Sequence, residues 1–227
     1  NPKTSQILLV SIPRDYYVQL HGTTGVRDKL THAGIYGIDT SIDTINDLLD
    51  TKIDYFVRLN FSTLTKSIDL LDGIDVYSDR EFTPWTNKNI TIQKGMNHMD
   101  GETALAFARE RHAYESGDRH RGENQQEIIT AMINKMTDKN YITKYKDILT
   151  SLDGSFETSM KYEEMTNLFK MQINNNIKWN ITSISLDGTG SMQSTYSMGD
   201  RKLYVMVPDD NTLNNAKENI NKVLNGK

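Results

Sequence analysis

There is no cysteine among the 227 residues. That absence excludes a disulfide framework, a thiol nucleophile and any zinc site built on thiolates. No stretch approaches the ~18 consecutive apolar residues that a membrane-crossing helix requires. Basic residues are not in excess: 26 Lys and Arg stand against 30 Asp and Glu, a formal net charge of −4. A general nucleic-acid binder is usually basic over a whole face, so no nucleic-acid partner is expected. Several catalytic signatures are missing too. The chain has no GxSxG elbow, no Walker loop and no GxGxxG turn. His98 and His112 have no partner at metal-ligand spacing, and no HExxH pattern frames His120. No internal repeat or low-complexity tract occurs.

What is present is 37% hydrophobic residues, enough for a sizeable core, under a polar surface with a mean hydropathy of −0.59. The length allows one large domain or two small ones. Residues 6–12 (QILLVSI) form a short apolar run ended by Pro13, the pattern of a buried strand. Before it, residues 1–4 read as a turn, which implies that a preceding strand is missing and that the chain is a fragment. Tyr17–Leu20 reads as a short strand, and residues 21–38 as a loop rich in glycine and threonine. A helix is expected from Asp39 to about Asp50, with Ile42, Ile45, Leu48 and Leu49 on one face. The alternation of Tyr55, Val57 and Leu59 predicts a strand over Asp54–Asn60. A helix over Phe61–Asp72, closed by Gly73, and a strand over Ile74–Tyr77 follow. Residues 78–95 read as a hairpin or extended loop. Asp100 begins a capped helix. A loop around Gly117 leads into a long helix over residues 119–138, with Ile128, Ile129, Met132 and Met136 as its buried stripe. Further helices are expected over 143–152, 161–175 and 209–224, and strands over 178–186 and 203–207. The alternation of strands and helices predicts an α/β fold.

Charge is concentrated in one place. Four of the nine arginines, Arg109, Arg111, Arg119 and Arg121, fall within thirteen residues of an acidic chain. Guanidinium presents a planar fork that matches two phosphate oxygens and stays charged at any working pH. Two such charges 6 Å apart, at an effective dielectric near 20, repel by roughly 3 kcal/mol. Such a cluster must spread into solvent, pair with acids, or face an anion. Glu110, Glu115, Asp118 and Glu123 offer the pairing. The alternative is an anion site: Arg121 and Gln125 share a helix face in the first turns, where free N–H groups and the helix dipole also favour negative charge. Elsewhere, Arg14 and Asp15 follow the first strand. They read either as a strand-end ion pair or as part of a site at the end of the sheet where ligands bind in open α/β folds. Lys29 and His32 read as solvated loop charges or as members of the same site. The methionines at helical spacing, such as Met132, Met136, Met165 and Met171, read as core filler.

Four ordered motifs resemble the LytR-CpsA-Psr family. They are Ser11-Ile12-Pro13-Arg14-Asp15; Arg27-Asp28-Lys29-Leu30-Thr31-His32-Ala33; the run from Lys94 to Arg111; and Gly117-Asp118 through Arg121 and Gln125. They cover roughly residues 1–135. The resemblance implies a three-layer α/β/α fold around a central mixed, mostly parallel sheet, as one extracellular domain over 1–227. An N-terminal membrane anchor and a strand would precede it, at the outer face of a Gram-positive cell membrane. It also implies a phosphotransferase that moves a polyprenyl-diphosphate-linked glycopolymer, teichoic acid or capsular polysaccharide, onto peptidoglycan through a phosphodiester.

Carried over residue by residue, Arg14, Asp15, Arg109 and Arg111 would be catalytic. Arg14, Lys29, Arg109, Arg111, Arg121 and Gln125 would hold the diphosphate. Arg119 has no firm counterpart, and Asn124 stands where many members carry a further arginine. Mg²⁺ is the implied cofactor, with its acidic ligands upstream of residue 1. The lipid tail needs an apolar tunnel, whose lining looks like any core residue in sequence. Two other readings of the same residues stay open: a non-catalytic binding module for anionic glycans or lipid carriers, and a polyprenyl-diphosphate pyrophosphatase.

Overall fold

The computed structural model describes residues 1–114, 117–152 and 154–226, with Asp118 described by its backbone alone. In chain order the elements begin with β1 (Gln6–Ser11), β2 (Tyr17–Val18), β3 (Asp28–Lys29), a 3-10 helix (Leu30–Tyr36) and α1 (Ile38–Leu49). Then come β4 (Val57–Arg58), α2 (Phe61–Leu70), β5 (Ile74–Ser78), β6 (Gly95–Met99), α3 (Gly101–Arg109) and α4 (Asp118–Thr137). The chain continues through α5 (Lys139–Ile142), α6 (Tyr145–Leu152), β7 (Glu157–Thr158) and α7 (Tyr162–Asn175). It ends with β8 (Asn180–Ser185), β9 (Gly188–Thr195), β10 (Gly199–Pro208) and α8 (Asp210–Asn225). Two compact units result: Asn1–Asp54 with Ile181–Lys227, and Tyr55–Asn180.

In the first unit, β1 pairs with β8, β2 with β3, and β9 with β10. The core gathers Tyr16, Val18, Leu20, Ala33, Leu49, Leu186 and Ala216. Ile45 and Leu48 of α1, and Leu213 and Ile220 of α8, pack against it as their spacing predicts. In the second unit, β5 pairs with β6 and β4 with β7. Ile68, Leu71, Ile74, Val76, Met99, Phe107 and Ile128 are at most 2% exposed and form its core. The helices α2 and α3 meet closely at Gly101. A Cβ there would lie 2.3 Å from the Thr65 carbonyl oxygen, so only glycine permits the approach.

The α/β class is as expected, but the ladders are short. The four pairs of described register, β2–β3, β4–β7, β5–β6 and β9–β10, are antiparallel. The parallel pairing expected of the sheet is represented, among the described registers, by a Tyr16–Met206 bridge. The strand predicted over Asp54–Asn60 shrinks to Val57–Arg58. Its apolar alternation is not buried: Tyr55, Val57 and Leu59 are 45%, 58% and 48% exposed. Ile129 was expected in the α4 stripe, yet it is 45% exposed, and Ala131 at 7% joins Ile128 on the buried face. The hairpin over residues 78–95 is closed by a Phe82–Ile92 bridge and runs on into β6.

Sequence reading missed β9, because GTGSMQST lacks any apolar alternation. Gly188 begins this strand for a steric reason. A Cβ there would fall 2.2 Å from the Val207 carbonyl oxygen of β10. Gly188→Ala is therefore expected to lower the stability of the chain by about 1–3 kcal/mol, read as a fall in the urea midpoint without a change in slope.

Candidate functional site

The second unit carries the arginines. Asp100 caps α3 by accepting from the Thr103 N–H at 2.8 Å. Buried Ala104, Phe107 and Ala108 fix which face of α3 turns inward, and its last residue, Arg109, is exposed. Glu110 follows and is 1% exposed. Its Oε1 accepts the main-chain N–H groups of Arg111 and Ala113 at 2.9 Å each, and that of His112. Its Oε2 accepts the Trp85 N–H at 2.6 Å. Burial alone would raise the Glu110 pKa, but four N–H donors outweigh it and hold the carboxyl below its ordinary value. The acid placed between two arginines is thus committed to the backbone.

The Arg109 guanidinium lies over the Phe61 ring, 4.8 Å from its centroid, and no acid pairs with it among the described residues. Arg111 is exposed and Arg121 half-buried. The α4 helix starts from Gly117, whose carbonyl accepts the Arg121 N–H at 3.2 Å, so Arg121 sits in the first turn as expected. Surface pairing does occur at Glu123, which takes Arg119 at 3.6 Å and His120 at 2.8 Å. Glu115 and the Asp118 side chain, the other acids expected to pair, lie outside the described residues. Arg119 and Arg109 therefore follow opposite branches of the sequence reading.

Two amides join α4 to the end of α3. Asn124, 2% exposed, donates to the Phe107 carbonyl at 3.0 Å, and Gln125 donates to the Ala108 carbonyl at 3.4 Å. Both carbonyls lie in the last turn of α3, where intrahelical donors run out, and that of Phe107 also accepts the Glu110 N–H at 3.2 Å. Asn124, where many family members carry arginine, is here a packing residue. Gln125 is exposed and retains a second N–H. Nearby, the Tyr114 hydroxyl donates to Asp79 at 2.9 Å, and Arg80 lies 4.1 Å above the Tyr114 ring centroid. Burial, then the Asp79 carboxylate, pushes the Tyr114 hydroxyl up to about 12.

The first unit holds Arg14, Asp15 and Lys29. Register places Tyr17 opposite Lys29. The Lys29 ammonium reaches Asp15 at 2.8 Å, with side chains only 15% and 22% exposed. Asp15 thus pairs with Lys29 and leaves its neighbour Arg14 exposed, with no acid partner among the described residues. Sequence reading missed the buried acid beside Lys29. Asp28 is 0% exposed and accepts from Lys29 N–H at 2.7 Å and Ser197 N–H at 2.8 Å, with His32 Nδ1 at 2.6 Å. Burial opposes its ionisation, but Ser197, His32 and the Lys29 N–H outweigh it, so its pKa is lowered.

Among the described residues, no group of three or more His, Asp or Glu is arranged to hold a metal ion. Asp15 already faces Lys29, so the described residues do not by themselves fit Mg²⁺. No helix among the described residues is long and apolar enough to cross a membrane. The second unit has an open cavity of about 480 Å³, lined by residues that include Leu149, Phe156, Met160, Tyr162 and Met165.

The Glu110 cage has a pH signature. Its folded pKa lies below the unfolded one, so its stabilisation is present above the unfolded range near ~4.3 and disappears as pH falls through the folded value. Glu110→Gln is expected to cost about 2 kcal/mol at neutral pH. The difference from the unsubstituted chain should shrink below about pH 4 in urea titrations.

Comparison with known proteins gives a consistent result. The LytR_cpsA_psr family model matches residues 1–220. The polyisoprenyl-teichoic acid–peptidoglycan teichoic acid transferase TagU of Bacillus mycoides is 33% identical over 211 residues, 92% of this chain and 66% of that protein. The chain thus spans just under two thirds of the curated relative's length. Among solved structures, B. subtilis TagV superposes with a TM-score of 0.80 at 28% identity, covering 99% of this chain and 85% of that one. TagT bound to LIIa-WTA gives a TM-score of 0.77 at 27% identity, covering 96% and 80%.

Proposed function

Because the chain belongs to the LytR_cpsA_psr family, we propose that it transfers a polyprenyl-diphosphate-linked cell-wall glycopolymer, teichoic acid or capsular polysaccharide, onto peptidoglycan. The observation that carries this reading is the arrangement around Glu110. The chain turns the acid inward onto main-chain N–H groups and leaves the Arg109 guanidinium, braced on Phe61, with no acid partner among the described residues. A cation kept in this way suits a strongly anionic ligand. Teichoic acid transfer is the activity named for the TagU relative.

The chemistry needs positioning and charge more than a covalent nucleophile. A hydroxyl of the peptidoglycan sugar attacks the phosphorus bonded to the glycopolymer. The bond to the bridging oxygen breaks, polyprenyl phosphate leaves, and the hydroxyl proton is released. Arg109, Arg111 and Arg121, with the free N–H of Gln125, are assigned to the phosphate oxygens. Within the first unit, Asp15 holds the Lys29 ammonium in one direction and leaves Arg14 exposed, and the resemblance assigns both cations to diphosphate. The apolar side of the 480 Å³ cavity suits part of a prenyl chain. The outer face of the cell membrane, with an anchor outside residues 1–227, belongs to the same proposal.

Each charge-assisted contact contributes about 1.5–3 kcal/mol net. Arg109→Ala and Arg14→Ala are each expected to weaken binding of a polyprenyl-diphosphate donor roughly 10- to 100-fold, measured by equilibrium titration. Unchanged affinity in both variants would refute the assignment. Product analysis with and without peptidoglycan separates the readings. Glycopolymer joined to peptidoglycan supports transfer, release of free phosphorylated polymer in either case marks a pyrophosphatase, and no turnover marks a binding module.

A further inference from the structure

Large apolar side chains are exposed on three segments of the first unit: the loop before β3, the end of the 3-10 helix, and the turn between β9 and β10. Val26, Ile35 and Tyr36 are 48%, 65% and 46% exposed, and Tyr196 and Met198, in the turn between β9 and β10, are 47% and 42% exposed. The two tyrosine rings meet edge to face, with centroids 6.2 Å apart and planes at 61°. Such a corner has an aromatic floor and an aromatic wall, and each ring carries a hydroxyl able to donate and accept.

The corner is held from beneath. The Tyr196 N–H donates to the Arg27 carbonyl at 3.0 Å. The next residue, Ser197, donates its N–H to buried Asp28 at 2.8 Å, and its hydroxyl meets His32 Nδ1 at 2.9 Å. His32 in turn meets Asp28 at 2.6 Å. Three polar groups tie the turn to the Arg27–His32 segment, so the backbone that carries Tyr196 is anchored before any ligand arrives. Fixed aromatic surface loses little entropy on binding. Arg27 itself is exposed, and no acid pairs with its side chain among the described residues.

From this geometry we infer that the Tyr36–Tyr196 corner is a saccharide subsite that receives the glycan of the peptidoglycan acceptor, with Arg27 facing its carboxylates. A pyranose ring presents an apolar C–H face that stacks on an aromatic ring, and its hydroxyl edge suits tyrosine O–H groups. Arg27 complements the lactyl carboxylate of a muramic acid residue that bears no stem peptide, and the peptide's own carboxylates where it bears one. Lys29, two residues along, belongs to the diphosphate assignment, so the subsite rests on the transferase reading and gives it an acceptor side.

The test titrates the full chain with three probes. These are a peptide-free tetrasaccharide of alternating N-acetylglucosamine and N-acetylmuramic acid, chitotetraose, which has no carboxylate, and a polyprenyl-diphosphate donor. Tyr36→Ala and Tyr196→Ala are expected to weaken tetrasaccharide binding about tenfold each, while Tyr196→Phe stays within about threefold of the unsubstituted chain. Arg27→Gln should weaken the tetrasaccharide and leave chitotetraose unchanged. Donor binding should be the same in all four variants. If the unsubstituted chain binds neither saccharide, or if the alanine variants bind the tetrasaccharide as tightly as it does, the subsite is wrong. Failure of the unsubstituted chain to bind donor sinks the transferase reading instead, and the saccharide titrations still report on the corner.

Discussion

A carboxylate facing inward between two arginines is the interaction on which the second unit's site depends. In water, Glu110 would sit beside Arg109 and Arg111 and cancel much of their charge. Buried against the Trp85, Arg111, His112 and Ala113 N–H groups, it shapes the turn that follows α3. A buried charge without partners is very costly, and four donors offset that cost. The same bonds fix where the chain leaves the helix and therefore where Arg109 and Arg111 begin. The cage also leaves the arginine charge without its nearest acid in sequence.

The first unit solves a related problem twice. Asp28 is a buried acid whose partners, the Lys29 and Ser197 N–H groups and His32, join a strand to a distant hairpin turn. Asp15 keeps Lys29 extended in one direction at 2.8 Å. In both units an acid that adjoins a cation in sequence is spent on the main chain or on a different partner. The exposed cations Arg14, Arg27 and Arg109 share one property: no acid among the described residues pairs with their side chains. Surface ion pairs contribute little to stability, so three such cations cost the fold little and suit anion binding.

Much of this was legible in sequence. The amphipathic stripes of α1 and α8, the Asp100 cap and the placement of Arg121 in the first turn of α4 all follow from local patterns. The ordered motifs carried the family resemblance, which the match over residues 1–220 supports. Other features were not legible, because tertiary context decides them. Nothing in FARER says that its glutamate faces inward while Arg109 faces out. Asn124 looked like a missing arginine and proved to be a clamp on Phe107. The strand β9 was hidden because GTGSMQST shows no apolar alternation and opens on a glycine that answers a steric demand from β10, and the alternation over 54–60 promised burial that the second unit does not provide.

Phosphorus-31 NMR of a polyprenyl-diphosphate-linked donor, titrated with the full chain and with Arg109→Ala, tests the central claim most directly. The account predicts that both phosphorus resonances shift on adding the unsubstituted chain, and that the Arg109→Ala chain moves them far less at equal concentration. Resonances that stay in place with the unsubstituted chain, or that move equally with both, would contradict it.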